Sequence, residues 1–131
     1  MYSVSSNAVA KCLSYQTTEH QVGYWTDGKP LYEITVFLRV SANGSYNFST
    51  PSGTKIRDWR GNFYQGSIDN PSWIMHIPYT YIEPSNNTFL NIYVFYNGGD
   101  RKFYCDFYGT YASSYYNGYA RITYKYTKNS D

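Results

Sequence analysis

Several short runs of this chain change character at every residue, apolar then polar, which is the period of a half-buried β-strand. From Leu31 to Ser41, Tyr32, Ile34, Val36, Leu38 and Val40 fall on one face, and Glu33, Thr35, Phe37 and Arg39 on the other. From Phe89 to Tyr96, Leu90, Ile92 and Val94 oppose Phe89, Asn91, Tyr93 and Phe95. From Tyr119 to Tyr126, Ala120, Ile122, Tyr124 and Tyr126 alternate with Tyr119, Arg121, Thr123 and Lys125. Lys55–Phe63 reads as a further strand, with Ile56 opposite Arg57 and Trp59 and with Gly61 and Gly66 marking a bulge or close approach. Trp73–Tyr81 reads as another, with Pro78 barring it from an ordinary central ladder position. Asp27-Gly28 and Asn97-Gly98-Gly99-Asp100 read as turns, the second joining Phe89–Tyr96 to Lys102–Tyr108 as a hairpin. Six to eight short strands split by Gly, Asn, Pro and Ser predict an all-β fold: an antiparallel, jelly-roll-like β-sandwich, with a small barrel as the alternative.

Composition bounds what such sheets can present. Of 131 residues 18 are tyrosine, aromatic residues make up 21% and charged residues 15%. The charged share lies below the roughly 25% of an ordinary domain, and this balance is the reverse of a disordered chain. Broad amphipathic side chains with few charges suit adhesion or subunit assembly better than chemistry. The 11 Lys and Arg are scattered along the sequence, so no run marks a nucleic-acid stripe. No stretch reaches membrane-spanning length, and 1–13 lacks the pattern of a signal peptide, so neither membrane insertion nor export is expected.

The only helix predicted lies near the start. Ser5 or Ser6 can cap a short run through Leu13, whose apolar edge, Val9 and Leu13, is too brief to stand alone. This divides the chain into 1–20, a short helix and connection, and 21–131, a β-sandwich head. Cys12 falls in the helix, and Cys105 shares a strand face with Phe103 and Phe107, which reads as a buried free thiol. Whether the two cysteines can pair depends on a separation that spacing does not give.

Convergent chemistry is scarce. His20 and His76 are the only histidines, far apart and without local carboxylates, so no metal site or cofactor is expected. Glu33, Asp58, Asp69, Glu83 and Asp106 carry no spacing that marks a glycosidase pair. No catalytic residues are assigned and no enzyme is expected. Recognition asks less: a sugar ring stacks on Tyr or Trp while amides and hydroxyls take its hydroxyl groups. Tyr115, Tyr116 and Asn117, in a Tyr-Ser-Asn loop, are the first ligand-binding candidates, with Trp25, Trp59 and Trp73 as further ones. Each tryptophan is more readily explained by core packing.

Val4-Ser5-Ser6-Asn7-Ala8-Val9-Ala10-Lys11, Tyr15-Gln16-Thr17-Thr18-Glu19 and Val22–Tyr32, with Trp25, Asp27-Gly28 and Lys29-Pro30-Leu31-Tyr32 together, resemble the C-terminal region of phage and prophage tail-fibre or baseplate-type proteins of gut bacteria. The ending Gly118–Lys128 is similar to the strand that closes many of them. The resemblance implies a non-enzymatic, virion-borne receptor-binding tip made in the bacterial cytoplasm. It further implies a homotrimer joined to an upstream fibre or baseplate segment and directed at a host surface polysaccharide. It transfers no binding residues to this sequence. The competing expectations are a structural or trimerisation domain that binds nothing beyond its own particle and, further off, a glycan-degrading domain.

Overall fold

The computed structural model describes residues 17–83, 88–110 and 118–131. The expected helix with Val9, Cys12 and Leu13, and the loop candidates Tyr115, Tyr116 and Asn117, lie outside the described residues. Within them the chain forms β1 (His20–Tyr24), β2 (Pro30–Val40), β3 (Gly44–Ser49), β4 (Thr54–Gln65), β5 (Trp73–Ile77), β6 (Tyr79–Glu83), β7 (Thr88–Asn97), β8 (Lys102–Gly109) and β9 (Gly118–Lys128).

These strands make two antiparallel sheets, β1-β2-β9-β4-β5 and β3-β8-β7-β6. Neither sheet closes on itself, which removes the small barrel. The alternation in the sequence decides which side of each sheet turns inward. Ile122 and Tyr124 of β9 and Phe63 of β4 project from the first sheet, and Leu90, Ile92, Phe103 and Phe107 from the second; all are buried. Rings meet between the layers: Phe63 lies 5.2 Å from Phe107 and Tyr124 lies 5.0 Å from Phe103, centroid to centroid. Tilted rings at such separations add to the stabilisation from area burial alone.

The first hairpin turns where Asp27-Gly28 predicts. Gly28 adopts φ +86°, and the Lys29 amide donates to Asp27 Oδ1 at 3.0 Å. At the β7–β8 turn the left-handed residue is Arg101, φ +59°, rather than either glycine of Asn97-Gly98-Gly99-Asp100. Arg101 N donates to Asn97 O at 2.8 Å and closes the loop.

Two expectations need correction. Ile56 and Trp59 do not oppose each other. The register shifts between Ile56 and Asp58, so Ile56 pairs with Tyr126, Trp59 pairs with Tyr124, and both pack on the core. The bulge falls at Arg57, and Gly61 instead marks a close approach, since a Cβ there would meet Arg121 O at 3.3 Å. Trp73–Tyr81 is not one strand. It breaks at Pro78, which has no amide hydrogen for a ladder, with β5 in the first sheet and β6 in the second. Gly44–Ser49, outside the runs read as strands, is β3, an edge strand in which only Tyr46 and Phe48 pack inward.

Cys105 is a free, buried thiol, as its strand face predicts. Burial, with the Asp106 carboxylate adding to it, pushes its pKa up to about 12.

Candidate functional site: an aromatic sheet face

Because β7 and β8 bury every second side chain, the residues between them point away from the core, and these are mostly rings. In the ladder Phe95 lies opposite Tyr104, Tyr93 opposite Asp106, and Asn91 opposite Tyr108. Phe95 stacks on Tyr104 with centroids 5.1 Å apart and planes 14° from parallel, and Tyr93 stacks on Phe95 at 6.0 Å and 24°. Tyr93, Phe95 and Tyr108 keep 38%, 39% and 45% of their surface in contact with solvent. Phe89 and Ile82, opposite each other on β7 and β6, extend the exposed strip.

Polar groups edge the rings. Tyr104 donates its hydroxyl to Asp100. Tyr93 bonds to Asp106, and that hydrogen bond, with the carboxylate charge behind it, raises the Tyr93 phenol above its ordinary value. The Tyr104 phenol is raised for the same reason by Asp100. Thr80 Oγ1 donates to Asn91 Oδ1 at 2.8 Å. Asn47 and Ser45 of β3 stand opposite Tyr104 and Asp106. The result is a row of stacked, partly exposed rings bordered by hydroxyls, amides and carboxylates. Such a surface can stack planar or chair-shaped ligands and accept their hydroxyl hydrogens.

The three tryptophan candidates do not join this surface or one another. Trp59 is half-buried in the core, edge-on to Phe103 at 5.8 Å. Trp25 follows β1, and the Arg57 guanidinium sits 5.3 Å above its ring, near the start of β4. Trp73 pairs with Gln65 at the far end of β4 and is 64% exposed on an edge strand. The signal for the missed residues was present in the alternation, which sets Phe89, Asn91, Tyr93 and Phe95 on one face. What the local pattern lacks is the hairpin register that brings Tyr104 and Tyr108 beside them.

The first sheet turns a different face outward. His20 and Glu33 approach to 3.8 Å, and Arg60 reaches the other Glu33 oxygen at 3.5 Å. Thr35 and Thr123, both buried, share a hydrogen bond of 2.8 Å. Arg121 is 1% exposed although it points away from the inter-sheet core. Its Nη1 donates to Thr123 Oγ1 at 2.6 Å and its Nη2 to Asn62 Oδ1, so it ties β9 to β4. His76 Nδ1 lies 3.0 Å from the Asn62 amide nitrogen. Among the described residues no three His, Cys, Asp or Glu side chains gather as a metal site.

A cleft of about 410 Å³ opens at one end of the sandwich between Glu19, Pro51, Thr54 and Lys128. The Glu19 carboxylate accepts from Lys128 Nζ at 2.8 Å and from the Tyr126 hydroxyl. These bonds hold it below the ordinary carboxylate value. Its polar groups serve mainly to tie the chain ahead of β1 to β9.

No protein-family model, curated protein or solved structure matches this chain.

Proposed function

We propose that this chain is a saccharide-recognition module, the distal receptor-binding part of a phage tail fibre or baseplate, and that it performs no catalysis. One observation carries the recognition reading: the row of near-parallel rings on one sheet face, with Tyr93 and Phe95 exposed and Tyr104 half-buried beside them. The C–H face of a pyranose can lie on the outer ring of this stack, while Asp106, Asn91 and Asn47 are placed to accept or donate to its hydroxyls. The phage assignment rests on the sequence resemblance alone. A jelly-roll-like reading of the sandwich draws support from β2 pairing with β9 and β3 with β8, as in a long ribbon folded across both sheets. The consecutive pairs β4–β5 and β6–β7 depart from that ribbon.

The competing role as a homotrimer seam has its own motive, since exposed aromatic strips of this kind are large for a monomer. One pair of measurements separates the two: binding of Tyr93→Ala/Phe95→Ala to a panel of bacterial surface polysaccharides, and its sedimentation at micromolar concentration. Recognition predicts at least a tenfold loss of affinity, about 1.4 kcal/mol, with assembly unchanged. A seam predicts that the assembly dissociates. Wild-type protein that retains no polysaccharide in the panel would leave the structural role as the better account.

A further inference from the structure

The basic residues that lie scattered along the sequence are gathered by the topology onto the outer face of the first sheet. The registers of β2, β9 and β4 set Arg39, Arg60, Lys125 and Lys55 on the side that points away from the core. Arg57, at the bulge, joins them through its Nε bond to Thr127 Oγ1 at 3.1 Å. With Arg121, this face holds six of the 11 Lys and Arg of the chain. Among the described residues, only three carboxylates stand with them: Glu33, Asp58 and, in the adjoining turn, Asp27. The opposite face of the molecule is the aromatic strip, where Asp100 and Asp106 border the rings.

Neighbouring strands lie about 4.8 Å apart and alternate residues about 6.8 Å apart. Many of these charges therefore sit within or near one Debye length, about 8 Å at physiological salt, and act as one positive field. We propose that this face binds a second ligand, an acidic polysaccharide that carries carboxylate or phosphate groups along its chain. The excess of cations attracts it by charge complementarity. Glu33, Asp58 and Asn62 lie between those cations and suit sugar hydroxyls. A nucleic acid fits less well. A duplex carries a negative charge about every 1.7 Å of its axis, and it would press that charge against Glu33 and Asp58. The proposal does not depend on the aromatic face binding anything.

The test uses the full chain with polygalacturonate, polyphosphate, neutral dextran and duplex DNA as probes, titrated at low and at physiological salt. Polygalacturonate or polyphosphate is expected to bind more tightly than dextran or DNA and to weaken as salt rises. Arg39→Gln/Lys55→Gln/Arg60→Gln, three exposed positions, is expected to lose at least tenfold in affinity with a shallower salt dependence. Arg101→Gln/Lys102→Gln, at the other sheet, controls for net charge and is expected to bind as the wild type does. Tyr93→Ala/Phe95→Ala is expected to keep acidic binding, which separates failure of the aromatic face from failure of this one. The proposal is overturned if neither acidic polymer binds, if the triple variant binds as well as the wild type, or if DNA binds more tightly than both.

Discussion

At the scale of single residues, the tightest constraint falls on a position with no side chain. Gly118 opens β9 where the chain passes beside Phe63, and a Cβ there would run into the Phe63 ring and come within 2.8 Å of Tyr64 O. The requirement is for space, because Gly118 pairs as an ordinary strand residue with Val40. Gly118→Ala is therefore expected to cost about 1–3 kcal/mol through overpacking. Urea unfolding measures it, and Phe63→Leu in the same chain should recover part of the loss. If the two substitutions add with no interaction, the crowding argument fails. The sequence placed Cys105 correctly because its neighbours two residues away, Phe103 and Phe107, already define a buried face. It said nothing of Gly118, whose partner lies more than fifty positions upstream.

At the scale of elements, β4 shows how one residue re-aims a strand. Strict alternation puts Ile56 opposite Trp59, but the extra residue Arg57 brings both onto the core side. Deleting Arg57 would leave Ile56 two positions from Trp59, so both stay on the core side and Ile56 still pairs with Tyr126 in an unbroken ladder. The deletion removes the cation over Trp25 and the contact with Asp27. The expected loss in a denaturant titration is therefore only about 1 kcal/mol. A loss several times larger would mean that Ile56 had left the core. The break at Pro78 is the other case of this kind. Proline announced that Trp73–Tyr81 was no ordinary ladder, but only the packing of two layers shows that its halves belong to different sheets.

For the whole molecule, pH reads the clamp that joins both ends of the described fold. Glu19 bonds to Lys128 and to Tyr126, and its folded-state pKa lies below the ordinary value of 4.5. Its contribution is therefore complete above the unfolded value and is lost as pH falls through the lower folded one. The melting temperatures of wild type and Glu19→Gln should differ at pH 6 and converge at strongly acid pH. A gap that stays constant would refute the clamp. The phenols give the opposite arm. Burial pushes Tyr124 up to about 12, and burial with the Glu19 hydrogen bond raises Tyr126 further. Both favour the fold while neutral. That stability is present below the unfolded value of about 10 and is lost as pH rises toward the folded ones. Tyrosinate absorbance should then show a late fraction that appears together with unfolding. Full ionisation of the tyrosines near pH 10 in folded protein would contradict the burial of these two rings.

The amino-acid sequence alone settled the β-period of β2, β7 and β9, the Asp27-Gly28 turn and the inward side of most strands. Each of these follows from side chains within a few positions of one another. Tertiary structure decided which outward residues become neighbours. Thr35 and Thr123 bond across 88 residues of chain. Arg39, Arg60 and Lys125 share a face only because β9 lies between β2 and β4. Alternation tells a side chain to face in or out; what stands beside it there is fixed by pairings between distant strands, which no local pattern encodes.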